Sequence, residues 1–402
     1  MSDHKEVGDR VFSRRRLLQY GTGAGAAALA GCFGLMDDGQ NQSTPQNVTA
    51  SDFRGTGSIV DEGFRGSGNL SQGRPAPGGT SINDLPDLSG DLALYIGGGE
   101  GGIYYQLVEK LQEIYPDFTV YPTDNSSASL AQTIVQEVNK GAAQADVFWS
   151  IDASSLGYVA DNDAYEPLSG EAVNPVGNDQ FVGDDNAWAG VAGRARAIPY
   201  NTNKLSESDI PNKVQQFPET DALRGTMGWA TTYGAFKSFI TAMRLTEGEQ
   251  ATKDWLVAMR EAGTERHGNE YAVSQAVANG GHAAGFANHY YALRVQNQRP
   301  NAPLDLAFTE GDAGALVNVA GAMKVKGTNK GELVDNFVRH LLSAEAQEFF
   351  ATVSFAYPMI KGVKPVAGLP TVDKLSPPDI DLSKLSNLQK TLDLMKEANV
   401  PV

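Results

Sequence analysis

The chain has 402 residues, with 32 Lys and Arg against 48 Asp and Glu and a formal net charge of −16. That balance excludes a basic face of the kind needed to meet nucleic-acid phosphates, so no nucleic acid is expected as a partner. The acidity is spread along the whole chain, which points to adaptation to high salt and a halophilic archaeal source.

The first segment reads as an address. Ser13-Arg14-Arg15-Arg16-Leu17-Leu18 is a twin-arginine pattern, and residues 20–31 form an apolar stretch rich in Ala and Gly. That stretch is too short to span a bilayer and suits a signal h-region. It ends in Leu29-Ala30-Gly31-Cys32, similar to a lipoprotein cleavage box. Residues 1–31 are therefore expected to be a twin-arginine lipoprotein signal. Cys32, the only cysteine, is the expected lipidation site, and no disulfide is available to the mature domain. Residues 32–88 are rich in Gly, Ser, Asn, Asp and Pro and show almost no apolar periodicity. Such a composition buries too little to offset its ordering entropy, so a flexible stalk is expected. Asn41, Asn47 and Asn125 open glycosylation triplets. Together these features describe a cell-surface lipoprotein held at the outer face of the cytoplasmic membrane.

Roughly 310 residues remain, enough for a two-lobed unit with a substantial core. Residues 92–96 (LALYI) read as a strand, followed by a glycine-rich loop at 97–102. Residues 103–115 carry Leu107, Leu111 and Ile114 at helical spacing, 118–121 form a second strand, and 129–140 form a second helix with Leu130, Ile134 and Val138 on one face. Residues 146–149 are a third strand. This βαβαβ order predicts a parallel sheet with right-handed crossovers and ligands bound beyond the strands' carboxyl ends, near 97–102 and 150–154. The glycine loop lacks the Gly-Lys-Ser/Thr of a phosphate loop, so it reads as a close backbone approach to ligand, with Glu100 as a possible ligand.

A second unit begins after Tyr200 and Asn201. Residues 226–230 read as a strand, 231–236 open a helix running to about 245, and 249–261 and 271–279 are further helices. The strand 283–286 leads into Asn288-His289-Tyr290-Tyr291. Residues 316–320 return as a strand, followed by helices over 330–342, 344–353 and 385–397. The fold class is thus α/β, with two lobes joined by two extended crossings near 196–201 and 317–322. The expected partition is lobe 1 from 89–197 and 318–402, and lobe 2 from 198–317.

Adjacent phenols at the end of a short apolar run suit a hard trivalent cation. A phenol titrates near 10, so it becomes a good anionic oxygen ligand only beside a strong Lewis acid. Among biological ions, Fe3+ is the natural match for phenolate. By contrast, the five histidines (His4, His267, His282, His289 and His340) form no His-x-x-x-His or Glu-x-x-His pair, and no Gly-x-Ser-x-Gly elbow is present. The chain is therefore not expected to be an enzyme. A stalked adhesion protein would need neither an internal cleft nor a hinge.

Ala145-Asp-Val-Phe-Trp-Ser150, Ala192-Gly-Arg-Ala-Arg196, Tyr200-Asn-Thr-Asn-Lys-Leu205, Tyr233-Gly-Ala-Phe236, Gln275-Ala-Val-Ala-Asn-Gly280, Asn288-His-Tyr-Tyr291, Asp312-Ala-Gly-Ala-Leu316 and Ala356-Tyr-Pro358 follow one another in order. This set resembles the ferric-ion-binding proteins of iron ABC importers, which have the type II periplasmic-binding-protein fold. The resemblance covers most of the mature domain. It implies Tyr290 and Tyr291 as paired phenolate ligands and Tyr200 as a third. It also implies Asn288 as a contact of a companion anion such as carbonate, and an ABC permease with its ATPase as partners. Where some members carry a ligand His this chain has Gly99, followed by Glu100; where some carry Glu it has Ile151, followed by Asp152. A three-tyrosine site is therefore the better fit, with Glu100 and Asp152 as possible further ligands. The backbone N–H groups opening the helix at Tyr233, Gly234 and Ala235 suit the anion, assisted by Arg194 or Arg196. The protein is expected to act as a monomer. The alternative on the same fold is another small solute, such as a polyamine, thiamine, a phosphonate or another anion, walled by the same tyrosines.

Overall fold

The computed structural model describes residues 63–98, 101–386 and 388–402. The signal, Cys32, Asn41, Asn47 and Glu100 lie outside the described residues.

The first half of the fold follows the expected order. Strand β1 (Gly90–Gly97) leads to helix α1 (Gly101–Ile114), β2 (Phe118–Asn125), α2 (Ser127–Asn139), β3 (Val147–Ser150) and α3 (Ala153–Asp161). Ser126 caps α2 by accepting from the Ser129 amide at 3.2 Å, and Asp152 caps α3 by accepting from the Ser155 amide at 2.8 Å. Each cap satisfies an amide with no partner inside its helix. Next come β4 (Tyr165–Glu166), α4 (Gly170–Val173) and the long strand β5 (Ala189–Asn201).

The second half holds β6 (Met227–Trp229), α5 (Gly234–Glu247), α6 (Glu249–Glu261), β7 (Glu265–Arg266), α7 (Glu270–Ala278), β8 (Ala284–Gly285), β9 (Ala287–Asn288), α8 (His289–Gln298) and β10 (Leu304–Ala307). Strand β11 (Val317–Val325) then returns, followed by α9 (Gly331–Leu341), α10 (Ala344–Phe349) and α11 (Leu388–Glu397).

One sheet runs in the order β2-β1-β3-β11-β5-β8-β6-β7. β1 lies parallel to β2 and β3, and β6 lies parallel to β7 and β8, as helix crossovers require. The long strands β5 and β11 run antiparallel to each other between these parallel sets. Arg194 and Ala195 of β5 face Asn318 and Val317 of β11, whereas Ile198, Pro199, Tyr200 and Asn201 pair with β10. These are the two crossings expected from the sequence.

Two expectations on organisation are corrected. Residues 63–88, read as part of a flexible stalk, pack onto the domain. Phe64 is fully buried, and Arg65 and Arg74 both pair with the buried Glu348 at 2.7 and 2.8 Å. The Ile82 amide donates to the Glu345 carboxylate at 2.8 Å. A composition average misses a segment held by a few anchors spaced far apart.

The partition of residues 318–402 into one lobe is also corrected. Helix α11 packs on α5 and α6 of the other half. The Thr241 and Thr391 hydroxyls are 2.9 Å apart, Arg260 donates to the Ala398 carbonyl at 2.8 Å, and Lys253 pairs with Glu397 at 2.8 Å. Just before α11, Ser383 lies against Gly157 of α3, so close that a Cβ on Gly157 would collide with it. The chain therefore crosses between the halves a third time near residues 385–388.

Candidate metal centre

The site is built where the end of β9 turns into α8. Asn288, with extended backbone at φ −70° and ψ 140°, sits at the helix N-cap, so Tyr290 and Tyr291 fall in the first turn. Both are buried, and their rings lie 4.3 Å apart between centroids. Tyr233 stands at the N-cap of α5 and brings its hydroxyl into contact with that of Tyr291. The Tyr291 hydroxyl also bonds to that of Tyr290. The Asn288 side-chain amide donates to the Tyr290 hydroxyl at 3.4 Å. Three phenol oxygens thus converge on one point.

Burial and the Tyr233 hydrogen bond push the Tyr291 phenol well above its usual value near 10. The Tyr291 oxygen is therefore held protonated at neutral pH, and a strong Lewis acid would be needed to displace that proton there. The Arg294 guanidinium lies 5.0 Å from the centre of the Tyr290 ring and 5.5 Å from that of Tyr291. Three and four residues beyond the pair on one helix, it sits where a cation supports negative charge developing on those phenols.

Beside the tyrosines lies a cavity of about 370 Å³. Tyr233, Gly234 and Ala235 line it from the N-terminus of the 14-residue α5, with Asn288, Tyr290, Arg194, Arg196 and Asp152. The helix terminus carries a partial positive charge and opens with the Gly234 and Ala235 amides, whereas the Tyr233 amide, expected from the sequence to join them, instead donates to the Ala230 carbonyl at 3.0 Å. Arg196 is nine-tenths buried or more. Its Nη1 contacts the Glu270 carboxylate and reaches the Asn288 side-chain oxygen at 3.2 Å. Its Nη2 is buried without a hydrogen-bond partner. A buried guanidinium nitrogen left unpaired is costly, and an anion in this cavity would satisfy it. Glu270 completes the frame by accepting from the Asn288 backbone amide at 2.8 Å.

The structure does not bring Tyr200 to this point. Ala197 packs in the same apolar cluster as Tyr290 and Tyr291, while Ile198 and Tyr200 belong to the other, larger cluster. Strand alternation sends positions 197 and 200 to opposite faces. The Tyr200 hydroxyl titrates above the usual phenol value because it is buried, with Asp305 and Glu207 as the charges acting on it. The third tyrosine at the pair is Tyr233, whose sequence context points only to its backbone amide. Asp152 lines the cavity, but one of its carboxylate oxygens is taken by the Ser155 amide and the Ser154 hydroxyl at 2.8 and 2.6 Å. Arg194 donates to the Ile151 carbonyl, leaving Arg196 as the guanidinium framed by Asn288 and Glu270. His289 is turned away, its ring nitrogens 3.3 and 2.8 Å from the Ala195 and Phe355 carbonyls.

The family profile described as bacterial extracellular solute-binding protein matches residues 143–384. The chain is 30% identical over 275 residues to the major ferric iron-binding protein of Neisseria meningitidis serogroup B, covering 67% of this chain and 82% of that protein. It is 26% identical over 282 residues to the Fe(3+)-binding periplasmic protein of Serratia marcescens, covering 69% and 81%. Its structure is similar to that of iron-bound HitA from Pseudomonas aeruginosa, with a TM-score of 0.66 and 25% identity over 77% of this chain and 99% of that one. A Trichodesmium protein in complex with iron and citrate shares the fold at a TM-score of 0.62 and 22% identity, over 78% of this chain and 100% of that one. The fold is the α/β type II periplasmic-binding-protein fold, two halves joined by long crossing strands. The chain belongs to the bacterial extracellular solute-binding proteins, a family of solute carriers serving ABC permeases and not of enzymes.

Proposed function

We propose that this protein captures ferric ion through the phenolates of Tyr233, Tyr290 and Tyr291, together with a companion anion, and hands it to a membrane permease. The observation that carries this reading is the convergence of three phenol hydroxyls beside a cavity holding an unpaired buried guanidinium nitrogen. Three phenolates neutralise the charge of Fe3+ and leave octahedral positions for an anion such as carbonate or citrate. That anion would rest on the amides of Gly234 and Ala235, with Asn288 and Arg196 framing it. Relatives named for ferric iron binding support the choice of cargo.

In this reading the two halves close about β5, β11 and the segment near 385–388, burying the ion and forming the face presented to the permease and its ATPase. Export through the twin-arginine signal, lipidation at Cys32 and a tether over residues 32–62 would hold the domain outside the membrane. The acidic composition suits high salt.

The unpaired Arg196 nitrogen also favours a second reading, a small organic or phosphonate anion as sole cargo. Thermal unfolding with each candidate ligand separates the two, because a ligand specific to the folded state adds RT ln(1 + [L]/Kd). Stabilisation by Fe3+ with bicarbonate supports ferric capture. Stabilisation by a phosphonate, thiamine or a polyamine, with none by iron, overturns it.

A further inference from the structure

On the second half of the fold, away from the tyrosine cavity, two histidines and a carboxylate meet. Glu265 and His267 are two apart along β7 and its extension, so strand alternation places both on one face. Backbone hydrogen bonds fix both sides of this junction to β6. The His267 amide donates to the Trp229 carbonyl at 2.8 Å, and the Ala283 amide donates to the Thr226 carbonyl at 2.7 Å. The second bond sets His282 at the entry to β8. The His267 and His282 rings stand at 86° to each other, with their Nε2 atoms 2.7 Å apart. The Glu265 carboxylate lies 3.9 Å from the His282 Nε2, and one ligand atom from each residue falls within 4.8 Å of the others.

Gly228 makes this meeting possible. A Cβ there would stand 2.9 Å from His282 Cδ2 and 3.3 Å from His267 Cδ2. Only a residue without a side chain lets both rings lie over β6.

We propose that Glu265, His267 and His282 form a second metal site, for a divalent ion of the Zn2+ class. Two imidazoles and one carboxylate form a donor set suited to a borderline first-row ion. It is the opposite of the all-oxygen, phenolate set at the tyrosines, so the two sites select different ions. Typical Zn–N bonds of about 2.0–2.1 Å place two tetrahedral nitrogens about 3.3 Å apart, so the rings need to separate by roughly half an ångström. His267 is only half-buried and is followed by Gly268, so the opening falls on a yielding segment. The Glu265 side chain is largely exposed, which leaves a fourth position open to solvent. Lys204 is the cation acting on His282, and its ammonium is occupied by the Gly280 carbonyl at 2.6 Å. A bound ion ties the end of β7 to the entry of β8 across β6, a clip for this half that is independent of the cargo.

The test is calorimetric titration of the protein with Zn2+, with Co2+ as a coloured substitute and thermal unfolding as a second readout. The expected result is one Zn2+ per chain in wild type and equal binding in Tyr291→Phe. In His267→Ala the affinity should fall by more than the roughly 10- to 100-fold that losing a ligand's hydrogen-bonding partner costs. Glu265 is exposed, so Glu265→Gln keeps the test readable if the histidine variant fails to fold, and it too should bind Zn2+ more weakly. Absence of Zn2+ binding, or binding unchanged in both variants, overturns the proposal. Neither result bears on ferric capture, which Tyr291→Phe reads separately.

Discussion

Replacing Tyr233 by Phe removes one oxygen and keeps the ring. The oxygen lost is the one in contact with the Tyr291 hydroxyl, while the ring still packs against Tyr291 with centroids 6.1 Å apart. Losing one hydrogen bond to a hydroxyl that retains Tyr290 as partner should cost about 0.5–1.5 kcal/mol of folding stability. The effect on ferric binding should be far larger. Disturbing even a hydrogen-bonding partner of a ligand lowers metal affinity by about 10- to 100-fold, so removal of a ligand oxygen should exceed about 100-fold, or about 2.7 kcal/mol. The matched control is Tyr200→Phe, whose ring lies in the other apolar cluster and whose loss should leave affinity within about twofold. Competition against citrate, followed by the visible band of bound iron, measures both variants. If Tyr200→Phe loses iron and Tyr233→Phe keeps it, the site geometry argued from the hydroxyl convergence is refuted.

Further outcomes follow from the surrounding contacts. Glu270→Ala strands the buried Arg196 charge and should cost about 3–5 kcal/mol in denaturant unfolding, with weaker anion-dependent iron retention. Acid should release the ion, because the phenols must lose protons to bind. Affinity should fall about tenfold per pH unit for each proton displaced, measured by dialysis across a pH series. Without cargo the sign at the alkaline end is opposite to that of a carboxylate. Burial raises Tyr291 and Tyr357 above the unfolded value near 10, so their stabilisation is full below about pH 10 and is lost as pH rises toward the folded values. Denaturation midpoints on either side of about pH 10 read that loss. Finally, a chain beginning at residue 89 lacks the buried Phe64 and both arginines that pair with Glu348, so it should be less stable by about 2–5 kcal/mol, read by denaturant unfolding.

The alternating first half was legible because each element carries a strong local signal. Leu107, Leu111 and Ile114 mark one helix face, and the apolar runs at 92–96 and 146–149 lie within or beside parallel strands. The tyrosine pair was legible because adjacent phenols after Asn288 are chemically distinctive. Its third partner was not. Tyr200 and Tyr233 both open recognisable motifs, and only the alternation along β5 and the position of α5 decide which hydroxyl reaches Tyr291. The anchors of residues 63–88 escaped notice because Arg65 and Arg74 find Glu348 more than 270 positions away. The return of α11 to the other half escaped for the same reason, since its Thr391 meets Thr241 150 positions earlier. Long-range pairing of single residues leaves no periodicity to read. The histidine cluster likewise combines a strand spacing with a partner 15 residues on, so no helical metal motif announces it.

The most direct test of the account is the visible absorption spectrum of the protein in high salt, before and after ferric ion with bicarbonate, in wild type and in Tyr291→Phe. The account predicts a broad phenolate-to-iron band in wild type and its loss in the variant, which should remain folded. No band in wild type, or an unchanged band in Tyr291→Phe, would contradict it.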